Sequence, residues 1–226
     1  MSRTATFFLS FIASGLALFL AFLGWETLAV NPLGWFLLAV GIAYPVGVVV
    51  YSLVMKKPFW KPASGGETVK EESGDRSFWL ILPGFLLAFF GSPVEFLYFS
   101  SLLPRTVWMQ FLGWIFLLAG VILFVWARRS IRDFYGGHVE VSTGQQLVQS
   151  GPYRWIRHPA YAGYLLMCLG LGIGYSSLVG LVAIPLLLLP GLSYRMKVEE
   201  NLLAGQFGEL YREYAHRTKK LIPGLW

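Results

Sequence analysis

Apolar residues fall along this chain in long blocks, and the polar and charged ones gather between the blocks. A helix needs about 20 predominantly apolar residues to cross the hydrocarbon core of a bilayer. Four blocks meet that requirement, Phe7–Leu23, Leu33–Met55, Phe78–Ser100 and Val107–Ala127. Pro45 predicts a kink in the second block, and Pro83 and Pro93 interrupt the third. The first is longer than a typical signal-peptide core, has only Arg3 ahead of it and lacks a cleavage-site pattern, so it is expected to be retained as a helix. The last block, residues 160–194, is broken by Gly170, Gly172, Gly174 and Ser176-Ser177, which predicts a tight helical hairpin of two short crossings.

The intervals set orientation, because Lys and Arg are retained on the cytoplasmic side. Every Lys and Arg except Arg105 lies ahead of the first block, between the second and third, after the fourth, or after the hairpin. Six crossings with both termini cytoplasmic satisfy that distribution. The expected fold is an all-α integral membrane protein with a C-terminal helical hairpin and a cytoplasmic C-terminal helix. It divides into residues 1–127, four transmembrane helices with a cytoplasmic loop at 56–77, and residues 128–226, which carry the polar motifs. Pro62–Asp75, rich in Gly, Ser, Glu and Lys, predicts a flexible loop with no apolar periodicity to fold it. The alternation His138-Val139-Glu140-Val141, followed by Gln145 to Val148, predicts a short hairpin turning at Ser142-Thr143-Gly144.

Composition agrees with lipid as the solvent: 56% of the residues are hydrophobic and 13% charged, with a mean hydropathy of +0.59. A net charge of +6 would otherwise suggest nucleic acid, but topology already accounts for the basic residues. One cysteine, Cys168, rules out a disulfide framework or a Cys-based zinc site. His138, His158 and His216 are too scattered to read as a metal cluster, and neither the dinucleotide fingerprint nor the phosphate loop is present.

Polar chemistry concentrates in two places. Gly151-Pro152-Tyr153-Arg154-Trp155-Ile156-Arg157-His158-Pro159-Ala160-Tyr161 precedes the hairpin, with Pro159 placed to open a helix and His158 to cap it. The free N–H groups of such a start form a seat for an anion. After the hairpin, Arg195 and Glu199 stand four residues apart on one helical face while Glu200 points about 100° away. Both clusters leave the same end of one hairpin and must lie close together. Headgroup anchoring and a surface salt bridge are the plain alternatives. Glu95, near one end of the third block, is a functional candidate as an intramembrane ionisable residue. Its position near the interface also lets it snorkel, and structural accommodation is the expectation. Gly170, Gly172 and Gly174 are expected to serve helix packing.

Gly151-Pro152-Tyr153, Arg157-His158-Pro159-Ala160-Tyr161, Arg195 with Glu199-Glu200, and the ending Phe207-Gly208, Tyr211, Tyr214 and Leu221-Ile222-Pro223-Gly224 together resemble the isoprenylcysteine carboxyl methyltransferases and their phospholipid methyltransferase relatives. The resemblance covers roughly residues 136–226. It implies an integral-membrane methyltransferase that takes its methyl group from S-adenosylmethionine at the cytoplasmic face and uses a lipophilic acceptor entering from the bilayer. Tyr153, Arg157, His158, Tyr161, Glu199 and Glu200 are implied as cofactor contacts, and Arg195 as the residue beside the acceptor. No metal, covalent nucleophile or nucleic acid is implied. The acceptor group stays open among carboxylate, amine and thiol. Two other readings remain, a sterol-reductase-like enzyme using a reduced nicotinamide dinucleotide and a non-enzymatic transporter or scaffold.

Overall fold

The structure is a computed structural model that describes residues 3–55, 68–71, 77–131, 140–142 and 147–224. Helices α1 (Arg3–Leu28) and α2 (Gly34–Met55) form a first hairpin. A bent helical rod follows, made of α3 (Phe78–Leu86), a wide π turn (Leu87–Gly91) and α4 (Ser92–Tyr98). Next come α5 (Val107–Ile131) and α6 (Pro159–Gly174). A second bent rod consists of α7 (Leu178–Ala183), a π turn (Ile184–Leu188) and α8 (Leu189–Phe207), and α9 (Glu209–Arg217) ends the helical part. Proline lies beside both wide turns, at Pro93 after the first and at Pro185 and Pro190 in and after the second. Each proline removes an N–H from the helical ladder and crowds the preceding turn, and widening the turn absorbs the conflict.

Among the described residues, Trp79–Tyr98, Val107–Ile131 and Leu178–Phe207 are long and apolar enough to cross a membrane, while Ala13–Leu28, Gly34–Gly47 and α6 are apolar but shorter. Trp25, Trp79, Trp108, Phe111 and Leu118 point outward, as a lipid-facing surface requires. Inside, Leu20, Leu37, Phe89, Phe96, Leu117 and Leu171 pack into one core joining the first hairpin, the first rod, α5 and α6. The seam between α5 and α6 depends on glycine. A Cβ added at Gly170 would stand 2.6 Å from the backbone nitrogen of Leu117, so the two backbones touch where any side chain would separate them.

The hairpin predicted over 160–194 turns at Tyr175–Ser177, and Gly170, Gly172 and Gly174 lie within α6 rather than breaking it. Its second arm is no short crossing: the helix runs on from Leu178 to Phe207 and carries the glutamate pair beyond the apolar stretch. The turn is held by side chains of other elements. Asn31 donates from Nδ2 to the Gly174 carbonyl at 2.7 Å, Thr27 and Tyr175 share a hydroxyl contact of 3.1 Å, and Ser176 donates to the Pro104 carbonyl at 2.9 Å. Ser176 takes φ 50, a left-handed conformation that this ring of contacts stabilises.

One expectation is corrected at the opposite end. Glu140–Ser142 is a strand, but its partner is Thr68–Glu71 from the 56–77 loop, antiparallel with Thr68 opposite Ser142 and Glu71 opposite Glu140. Leu147 to Gln149 form no strand, and the predicted turn residues Thr143 and Gly144 lie outside the described residues. A lone two-stranded hairpin is marginal in water, and Thr68-Val69 supplies β-favouring residues from a loop on the same side. The loop expected to stay unfolded therefore contributes a strand. The pairing puts Thr68–Glu71 and Glu140–Ser142 at one end of the helix bundle.

Candidate functional site

The two polar motifs meet at that end. Gly151 opens a 3₁₀ turn (Gly151–Arg154) with φ 61, a conformation only glycine adopts cheaply, and its missing side chain leaves room for the Ser130 hydroxyl. The turn brings the chain to His158, which holds the N-cap position of α6 ahead of Pro159 but makes no capping bond with its side chain, whose ring turns to the glutamates instead. Residues 155–158 are then zipped to the C-terminal segment by backbone bonds. Lys219 N–H donates to Trp155 O at 3.2 Å, Arg157 N–H to Lys219 O at 2.7 Å, and His158 N–H to Lys220 O at 3.0 Å. Tyr214 adds a hydroxyl bond to the Tyr153 carbonyl at 2.8 Å. Ile156, Ala162, Met196 and Leu221 form a small apolar cluster beneath.

On this frame sits a continuous charged network. Glu200 accepts from Arg157 Nε at 2.8 Å and lies 3.0 Å from Lys220 Nζ. Arg157 also donates to the Ala215 carbonyl at 2.8 Å and to the Thr218 carbonyl. Glu199 accepts from the Tyr161 hydroxyl and from Arg195 Nε at 3.2 Å, and Arg195 Nε also lies 2.9 Å from the Tyr161 oxygen. His158 bridges the two halves, with Nδ1 3.5 Å from Glu199 and Nε2 3.3 Å from Glu200, and its ring stacks on Tyr161 at 5.6 Å. Burial disfavours charge on this imidazole, but the hydrogen bonds and charges of both carboxylates outweigh it and raise its pKa above the ordinary 6.5.

Two cavities flank the network. One, of about 110 Å³, lies between α8, α9 and the 3₁₀ turn and is lined by Tyr153, Arg157, His158, Phe207, Tyr211 and Tyr214 together with aliphatic side chains. The other, of about 290 Å³, opens among the apolar helices and is lined by Ile81, Phe85, Tyr164, Cys168 and Leu188, with Tyr161 and Arg195 as its polar groups. His158 belongs to the first and the Tyr161–Arg195 pair to the second. The charged network is thus the partition between an aromatic chamber and a lipophilic one.

All seven residues singled out from the sequence converge here. Tyr153 and His158 line the aromatic chamber, Tyr161 and Arg195 head the lipophilic one, and Glu199 and Glu200 hold the partition. Arg157 lines the chamber while three of its bonds go to the protein itself, where they tie the C-terminal segment to Glu200. Tyr211 and Tyr214 belong to the motif that carries the resemblance but were given no role, and Thr218 and Lys220 were not singled out. The signal for the tyrosines was their spacing of three on a short polar helix, and Lys220 was counted only as a topological charge. Glu95 is accommodated at the far end by capping rather than by snorkelling: its carboxylate accepts from Ser177 Oγ at 2.6 Å and from the N–H groups of Leu178 and Val179 at 3.3 and 3.0 Å. Among the described residues, no group of three or more His, Cys, Asp or Glu is arranged to hold a metal ion.

Comparison with known proteins places the chain among methyltransferases. Residues 108–210 match the phospholipid methyltransferase family. Protein-S-isoprenylcysteine O-methyltransferase A of Arabidopsis thaliana is 30% identical over 151 residues, which cover 64% of this chain and 76% of the plant protein. Protein-S-isoprenylcysteine O-methyltransferase of Xenopus laevis is 32% identical over 144 residues, and the matched part spans 62% of this chain but only 50% of the frog protein. The solved structure of a eukaryotic intramembrane Ras methyltransferase, an isoprenylcysteine carboxyl methyltransferase, superposes with a TM-score of 0.56 at 20% identity, covering 100% of this chain and 88% of that one, and so supports the fold.

Proposed function

From the chain's membership of the protein-S-isoprenylcysteine O-methyltransferase family, we propose that it methylates a lipophilic acceptor at the partition between its two cavities, with S-adenosylmethionine as the donor. The observation that carries this reading is the pair of chambers, one aromatic and one apolar, divided by a single charged wall. The lining fits the donor. Aromatic rings at Tyr153, Phe207, Tyr211 and Tyr214 suit a nucleoside, and a buried Tyr211 hydroxyl is left without a partner among the described residues. S-adenosylmethionine, when bound, supplies an already activated methyl group, so the protein's tasks are alignment and exclusion of water.

Each side chain then has a defined task. His158, Tyr161, Glu199 and Glu200 hold the donor's polar end at the wall, Tyr153 packs against it, and Arg157 keeps the chamber in shape through Glu200 and the C-terminal segment. Arg195 faces the other way and orients the acceptor's head, while the apolar chamber takes its tail. Ile81 and Phe85 of α3 line that chamber together with Tyr164, Cys168 and Leu188, so residues 1–127 share the acceptor side with residues 128–226. Six crossings, with residues 56–77, 128–159 and the C-terminal segment cytoplasmic, fit both the positive-charge distribution and the pairing of Thr68–Glu71 with Glu140–Ser142.

Calorimetric titration of the purified protein with S-adenosylmethionine, with a reduced nicotinamide dinucleotide in parallel, tests the donor. The expected result is saturable binding of the first alone. Binding of the dinucleotide instead, or of neither, would overturn the reading. Mass spectrometry of membrane-lipid extracts for a donor-dependent gain of one methyl group then identifies the acceptor.

A further inference from the structure

Tyr211 is 4% exposed, and its hydroxyl makes no hydrogen bond among the described residues. The contrast with its neighbour is informative. Tyr214 lies in edge contact with it at 6.0 Å, is equally buried, and spends its hydroxyl on the Tyr153 carbonyl. A buried phenol without a partner costs about 1–3 kcal/mol, and such a group in a folded protein calls for an explanation. Burial and the nearby Glu200 charge hold the phenol well above its ordinary pKa, so it stays a neutral donor. Its ring lines the aromatic chamber.

The chamber's geometry selects the partner. The methyl group must be delivered towards Tyr161 and Arg195, on the far side of the wall. The end of the donor opposite the methyl therefore extends away from the wall, towards α9, where the lining is aromatic and aliphatic. That end is a planar heteroaromatic base whose ring nitrogens accept hydrogen bonds. Resting on the proposed donor, we infer that Tyr211 is a base-recognition residue, its hydroxyl donating to a ring nitrogen of the bound adenine. Among the described residues this donor has no partner, and the nucleoside completes it.

The test uses the purified full chain and S-adenosylhomocysteine, which retains the nucleoside. Tyr211→Phe removes one oxygen, and affinity is expected to fall about 5- to 20-fold. The thermal midpoint of the free protein should hold or rise, whereas a structural hydroxyl would lower it. Three analogues, each with one ring nitrogen (N1, N3 or N7) replaced by C–H, locate the partner. One of them should bind the wild type more weakly by the same factor and lose nothing further in Tyr211→Phe. Equal affinity of wild type and Tyr211→Phe, or an equal additional loss for all three analogues, overturns the inference and leaves the donor assignment standing. Failure of the wild type to bind S-adenosylhomocysteine overturns the donor assignment, and this inference with it. The analogue series on the wild type decides the question even if the variant does not fold.

Discussion

Glu95 and Glu200 are both buried or nearly so, and they do opposite things. Glu95 sits at the turn end, against the start of α7, and its partners among the described residues are a hydroxyl and two backbone N–H groups. Its carboxylate completes a helix terminus that would otherwise leave donors unsatisfied. Glu200 faces Arg157, His158 and Lys220, cationic side chains drawn from two distant segments. With Tyr211, Arg212 and His216 it also lines a third, open groove on the outer side of α8 and α9, and the Tyr211 hydroxyl has no partner among the described residues. Burial alone does not mark a site. A carboxylate whose surroundings are closed stabilises the fold, and one whose surroundings hold surplus charge and empty volume is available for a ligand.

The sharpest way to break this contrast is Glu200→Ala. It leaves Arg157 and Lys220 without their shared anion, and removing one member of a buried pair costs about 3–5 kcal/mol. Thermal unfolding in detergent should drop by several degrees and donor affinity more than tenfold. Next is Arg195→Lys, which keeps the charge but loses the planar fork. Turnover should fall about 10²-fold with donor affinity unchanged, since misalignment by about 1 Å costs that much. Turnover at the wild-type level, measured on the same preparation as affinity, would reduce Arg195 to a partner of Glu199.

Glu95→Gln sharpens the comparison from the other side. Hydrogen bonds to a charged acceptor contribute about 1.5–3 kcal/mol, so stability should fall within that range while donor affinity stays at the wild-type value. A change in affinity would show that the two ends communicate. The smallest effect is the pH dependence at His158, which faces Glu199, Glu200 and the Tyr161 ring, with Arg157 beside it. Its folded pKa is raised above 6.5, so its contribution is complete below that pH and is lost as pH rises through the folded value. Midpoints recorded from pH 6 upward should decline for the wild type, and His158→Gln should flatten that component.

The helical blocks were legible because lipid demands long apolar runs, and the two motifs were legible because each is local: a cap at His158-Pro159 and an i,i+4 pair at Arg195 and Glu199. Nothing local announced the rest. Arg157 meets Thr218 across 61 residues, and Glu95 meets Ser177 across 82. Backbone pairing between residues 155–158 and 219–220 has no side-chain periodicity to betray it, because it is a single zipped turn of chain and not a strand with two faces. The 140–142 strand was read correctly as extended but given the wrong partner, since the alternation states that a residue run is β-like and says nothing about which run it joins. Tyr211 was visible as a motif residue but its role was not, because an unmet hydrogen bond is a property of three dimensions alone.

The zipped contact between the Arg157–His158 segment and Lys219–Lys220 has a consequence for biogenesis. During translation the first half of the site is made some 60 residues before the second, which at 5–20 residues per second is a delay of roughly 3–12 s. Over that interval α6 can enter the bilayer while Arg157 still lacks the Thr218 carbonyl, and Glu200, once made, waits about 1–4 s for Lys220. The segment that closes the chamber is therefore the last part of the site to be made, after α6 and α8. A lesion in residues 218–221 should yield a protein that is inserted and helical yet unable to retain its donor, a phenotype easily mistaken for a lost catalytic group.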